Sequence, residues 1–138
     1  MGILATWDKY KPNMHKVIVS EDKDLLTIGA PIFNPRTDEK IWTPTQQEAE
    51  RFFMYQTLKG DITDGYSGLP SCGDVGANKI LDKADEEGIP YWEAVVAAFK
   101  KKGLTEQDAL IQARCARILR AEDYNFKDKE VKLWEPSK

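Results

Sequence analysis

The stretch that decides the fold is IPYWEAVVAAFKKKGLTEQDALIQARCARILRAED, residues 89–123. It reads as two helices back to back, Pro90–Lys102 and Thr105 to about Ala121, joined at Gly103-Leu104 as an αα-hairpin. Pro90 fits the first position of a helix, where its missing N–H costs nothing, and Gly103 fits the end. Trp92, Val95, Val96 and Phe99 recur at helical spacing and mark the buried side of the first helix. Thr105 with Asp108 three residues on has the form of a capping box for the second. At roughly 100° per residue, Ile111, Cys115, Ile118 and Leu119 fall in one arc and Arg114, Arg117 and Arg120 on the opposite side. The expectation is therefore one core face and one basic face.

Working outward, Asp74 is placed to cap a helix of about 75–87 with Ala77, Ile80, Leu81 and Ala84 inward, stopped by Gly88. Before it, residues 60–73 form a glycine-rich loop. Thr43, Pro44 and Gln46 suggest the start of a helix over 44–59, with Thr43 as its cap. Residues 16–42 hold β-branched runs, Lys16–Ser20 and Leu25–Ile28, separated by the polar turn Glu21–Asp24, and then a shorter pair, Ala30–Phe33 and Lys40–Trp42. Glu130–Trp134 alternates polar and apolar residues as a half-buried strand does. These patterns predict an α+β fold: an antiparallel N-terminal sheet, joined by the C-terminal strand, packed on three to four helices that include the αα-hairpin. The chain reads as a single domain over 1–138, divided into an N-terminal arm (1–15), strands (16–42), a helical part (43–123) and a C-terminal strand and tail (124–138).

A chain of 138 residues with 41% hydrophobic and 31% charged content suits a packed core and argues against disorder. No apolar run approaches the roughly 20 residues needed to cross a bilayer, and the N-terminus lacks a secretory leader, so the expected location is the cytoplasm and no membrane contact is expected. Cys72 and Cys115 are then expected as thiols. The net charge of -3 is unevenly spread. Residues 61–99 hold eight acidic and two basic residues, whereas 100–120 hold six basic and two acidic.

Candidate chemistry is sparse. Gly68–Gly73 has the spacing of the first half of a P-loop, but Asp74 and Val75 stand where Lys and Ser or Thr are required. Asp61, Asp64 and Asp74 lack the spacing of a calcium loop and read as a structural turn, so no metal and no cofactor is expected. Cys72, just ahead of a predicted helix N-terminus, is the one candidate nucleophile, with His15 as the sole histidine. The basic residues Lys100, Lys101, Lys102, Arg114, Arg117 and Arg120 form the main candidate binding surface, joined by the aromatic ends Trp7 and Trp134. Helix, glycine turn and helix outline a DNA-reading motif, but Phe99 occupies a place that wants a small residue, and Glu106 and Asp108 open the would-be reading helix against phosphate. The function expected from residues alone is a non-enzymatic protein-binding module, a subunit of a larger assembly or a regulator, with a protein partner or a second copy of the chain. Nucleic-acid binding through the Lys100–Arg120 face comes second, and a small Cys72-dependent enzyme third.

Overall fold

The computed structural model describes residues 1–136. The chain is a helix-rich α+β protein with two small two-stranded sheets, and it divides into two compact units, Met1–Ala49 with Ile118–Leu133 and Glu50–Arg117 with the chain from Trp134. No helix among the described residues is long and apolar enough to cross a membrane.

The first unit contains α1 (Gly2–Thr6), β1 (Ile18–Val19), a 3-10 helix (Lys23–Ile28), β2 (Ile32–Phe33), a second 3-10 helix (Ala121–Asp123), β3 (Tyr124–Asn125) and β4 (Glu130–Val131). Its N-terminal strands differ from expectation. β1 and β2 pair in parallel, Ile18 with Ile32 and Val19 with Phe33, where an antiparallel sheet was predicted. The cause lies in Leu25–Ile28, whose apolar run fits a strand or a tight helix equally well. Asp22 settles it by accepting the Asp24 N–H at 2.9 Å, Thr27 Oγ1 donates to the Asp24 carbonyl at 2.9 Å, and Gly29 at φ 75° ends the turn. With the connection wound as a 3-10 helix, the chain re-enters in the direction of β1. Of the expected Lys40–Trp42 strand only Trp42 pairs, bridging antiparallel to Ile32. The expected C-terminal strand does not join these strands, because β4 pairs antiparallel with β3. Residues 137–138 of the expected tail lie outside the described residues.

A small apolar cluster, Ile18, Ile28, Ala30 and Ile32, anchors this unit. Polar ties complete it. Arg120 is 5% exposed and its side chain donates to the Thr27 carbonyl, and Thr6 Oγ1 accepts the Ala121 N–H at 2.6 Å. Gly2 allows α1 to approach the chain before Arg120, since a Cβ there would lie 2.1 Å from the Leu119 carbonyl oxygen.

α2 (Gln46–Lys59) leads from the first unit's residues into the second unit, which also holds α3 (Asp74–Glu87), α4 (Tyr91–Lys101) and α5 (Glu106–Ala116). α2 begins two residues later than expected. Thr45, not Thr43, caps it, its Oγ1 accepting the Glu48 N–H at 3.1 Å. α4 packs on both α3 and α5 around Phe53, Leu58, Leu81, Val95 and Phe99. The Thr105–Asp108 capping box opens α5, but that helix ends at Ala116, about a turn early, and presents a different face to the core. Ala109, Ala113 and Ala116 are buried, whereas Ile111 is 48% exposed and Cys115 is exposed. Three alanines at i, i+4 and i+7 let α5 lie close against its neighbours, and that close approach outweighs burial of the larger Ile111.

Candidate functional site

The chemically distinctive region of the second unit is the loop between α2 and α3. Its base is closed by backbone bonds, Leu69 N–H to the Leu58 carbonyl at 2.8 Å and a reciprocal pair between Asp61 and Tyr66 at 2.8 and 3.1 Å. Gly60 and Gly68 cross at that base with φ of 75° and 66°. A Cβ on Gly68 would lie 2.5 Å from the Gly60 nitrogen and the Leu58 oxygen, so both the conformation and the close approach require glycine. Gln112 of α5 accepts the Gly68 N–H at 2.8 Å, and Tyr66 and Leu69 are buried in the core. The base is thus rigid and the tip is presented to solvent, with Ile62 92% exposed.

Two carboxylates sit on this tip. Asp61 Oδ1 accepts the N–H groups of Thr63 at 2.9 Å and Asp64 at 3.3 Å, an Asx turn that fixes its rotamer. A carboxylate oxygen of Asp61 lies within 4.8 Å of one from Asp64. Asp61 is half-buried and Asp64 exposed. A pair of hard oxygen donors at this separation on a stiff loop is able to share a divalent cation.

Beyond the tip the chain turns at Ser71, φ 59°, and enters α3 through Gly73, which gives no side-chain cap. The first-turn Asp74 accepts from Tyr55 Oη and pairs with Lys59 Nζ at 3.0 Å. The Lys59 pKa is raised chiefly by that hydrogen bond, and the Tyr55 pKa is raised by burial and then by Asp74. Burial also pushes the Cys72 thiol up, with the nearby Lys102 ammonium acting in opposition. Burial thus acts against thiolate formation at Cys72, and the only histidine in the sequence, His15, belongs to the first unit.

The arginines expected as an outward row do not form one. Arg114 Nε donates to the Trp134 carbonyl at 3.0 Å, Arg117 follows the end of α5 with its guanidinium 5.3 Å from the Phe53 ring centroid, and Arg120 is buried in the first unit. The early end of α5 is the reason, since the helical phase that aligned the three residues stops at Ala116. Lys100, Lys101 and Lys102 are exposed at the end of α4. Trp134 packs edge-on against Phe53 and Trp92, and Trp7 stacks on Tyr10 and Phe126.

Comparison with known proteins places the chain beside two phage nucleases. The chain is 35% identical to an exodeoxyribonuclease of Enterobacteria phage T3 and 36% identical to an exonuclease of Escherichia phage T7. Each alignment runs over 162 residues and takes in 99% of this chain and 54% of the relative. The chain is similar to phage exonucleases. It spans about half the length of these curated relatives. No family model matches, and no solved structure matches.

Similarity to nucleases along nearly the whole chain corrects the function expected from residues alone. A non-enzymatic protein-binding module or assembly subunit is overturned, and with it the expectation that the chain is no enzyme. Asp61 and Asp64, which share the loop tip, are read from the sequence as part of a structural turn. Their signal was present only as an acidic pair three apart between glycines, a pattern that ordinary turns share.

Proposed function

We propose that this chain hydrolyses DNA phosphodiester bonds from a strand end with the help of a divalent cation, and that it works in the cytoplasm, where Cys72 and Cys115 stay free thiols. The observation that supports this most is the identity to two phage exonucleases over 99% of the chain. The Asp61–Asp64 tip fits such an ion. Its donors are hard carboxylate oxygens, and magnesium retains several waters, so two protein ligands are enough to hold it. When bound, the cation supplies charge neutralisation at the phosphoryl oxygens and a more acidic water, as in other nucleases.

The chain's own residues do the holding and orienting. Asp61, fixed by its Asx turn, and the more exposed Asp64 bind the ion from a loop whose glycine crossing keeps it from collapsing. Lys100, Lys101 and Lys102 contact backbone phosphates, which carry no base identity, so the expected substrate preference is for DNA of any sequence. The αα-hairpin formed by α4 and α5 then serves to carry this lysine cluster.

The test is degradation of an end-labelled linear duplex by the purified protein in magnesium. Nucleotide release stopped by EDTA is the expected result. Asp61→Asn is expected to slow it roughly 100-fold or more, the scale of losing a main electrostatic contribution at the transition state. Joint Lys100→Gln, Lys101→Gln and Lys102→Gln is expected to raise KM with little change in kcat and to flatten the dependence on salt. Cleavage that survives both Asp61→Asn and Asp64→Asn at the normal rate, or the absence of any release, overturns the proposal.

A further inference from the structure

The first unit holds an open pocket of about 670 Å³ that the catalytic reading does not use, within the size range of pockets that take small ligands. Part of its wall is aromatic. Phe126, on the turn between β3 and β4, is 38% exposed, yet it is not loose: Trp7 stacks on it at 4.1 Å with an interplanar angle of 19°, and Tyr124 meets it edge-on at 5.0 Å. Trp7 lines the same pocket, and Tyr10 backs it at 6.2 Å. A phenyl ring kept at a solvent-facing mouth and immobilised from behind is a ready surface for another π system.

Cations share that wall. Lys16 is half-buried, and its Nζ donates to the Trp7 carbonyl at 2.7 Å, which holds the ammonium beside the aromatic pair with further N–H donors to spare. Lys9 is exposed on the same lining. The acidic members are Asp8 and Glu122, and Glu122 lies 3.9 Å from the Arg120 guanidinium, so the lining as a whole carries three cations against two carboxylates.

We propose that this pocket binds one unpaired nucleotide of a DNA strand, with the base against Phe126 and the phosphate on Lys9 and Lys16. A stacking platform combined with ammonium groups is the general recipe for single-stranded nucleic acid. Duplex is the poorer fit because a base inside a duplex has both faces covered by its stacked neighbours and its edge held by its complement. The inference rests on the nuclease reading for DNA as the substrate, and it adds a second contact point, on a different unit from the acidic tip, for a nucleotide already separated from its complement.

The experiment measures the affinity of fluorescein-labelled dT12 by anisotropy at several salt concentrations, with EDTA present so that nothing is cut, beside cleavage of blunt duplex in magnesium by the same preparations. Phe126→Ala is expected to weaken dT12 binding about tenfold without altering its salt slope, and Phe126→Tyr to restore it. Lys9→Gln is expected to weaken binding less and to reduce the slope by close to one phosphate's worth. Circular dichroism establishes that each variant is folded, and Lys9→Gln, on an exposed side chain, serves if Phe126→Ala does not fold. If the wild type degrades duplex but dT12 binds Phe126→Ala and Lys9→Gln as well as the parent, the pocket assignment is wrong and the nuclease reading stands. If dT12 binding responds as expected while no duplex is degraded, the nuclease reading fails and the pocket stands. Absence of dT12 binding by the wild type at low salt overturns the pocket.

Discussion

Among the described residues, the second unit buries twelve side chains in one cluster carried by helices, whereas the first relies on four buried aliphatic residues and a guanidinium. The helical unit is held by packing: Phe53, Leu81, Val95 and Phe99 are at most 1% exposed, and the alanine face of α5 closes against them. The loop-rich unit is held by directed bonds between distant parts of the chain, Arg120 to Thr27 and Ala121 to Thr6. The two units are therefore vulnerable in different ways. A packed cluster loses stability in proportion to the volume removed, but a polar tie fails when either partner is taken away.

The largest expected effect tests the packed side. Phe99→Ala empties a fully buried site in the second unit and is expected to cost about 3–5 kcal/mol, read from the urea midpoint. A loss below roughly 1 kcal/mol would mean that α4 and α5 close over the gap, and the contrast between the units would fall. Next comes the polar tie. Arg120→Ala leaves the buried Thr27 carbonyl without that donor and is expected to cost about 1–3 kcal/mol. Hydrogen exchange locates the effect, with protection lost first around Thr27 and Ala121. Uniform loss along α3 and α4 would show that the helical unit depends on this bond as well.

A smaller effect separates two readings of one helix start. Thr45→Ala removes the observed cap of α2 and is expected to cost about 1 kcal/mol, while Thr43→Ala, two residues before it, leaves stability unchanged within error. The reverse order would restore the cap that the residue pattern suggests. That pattern misled because Thr43-Pro44-Thr45 offers two threonines in succession, and Pro44 at a helix start draws attention to the first.

The sequence was most legible where one rule governed. Gly88 and Gly103 lie in the left-handed region where helices were expected to stop, and the Thr105–Asp108 box opens α5 as written. It was least legible where size and phase disagreed. Ile111 and Cys115 outweigh alanine on any hydrophobic scale, so the inner face of α5 was assigned to the wrong side, although Ala109, Ala113 and Ala116 share a stripe of their own. The parallel pairing of β1 with β2 depends on the shape of the twelve-residue connection between Val19 and Ile32, and two apolar runs cannot report that shape. The candidate site was hidden for a related reason. Asp61 and Asp64 are set apart by the glycine crossing that stiffens their loop, and a spacing of three does not show that crossing.

The smallest expected effect concerns the part of the second unit that is electrostatic instead of packed. The Asp108 carboxylate accepts the Thr105 N–H at 2.8 Å and its hydroxyl at 2.9 Å, and these bonds hold its pKa below the usual carboxylate range, the backbone bond contributing most. Because the folded pKa is the lower one, the unfolded chain takes up this proton more readily. The stabilisation is therefore complete above the ordinary aspartate value of about 4 and fades as pH falls through the lower folded value. Measured by urea unfolding, the gap between the parent and Asp108→Asn is expected to be constant above about pH 5 and to narrow in acid. A gap that does not change with pH would mean that the charge of Asp108 contributes nothing at the start of α5, and that the amide variant is weaker only through its altered hydrogen bonding.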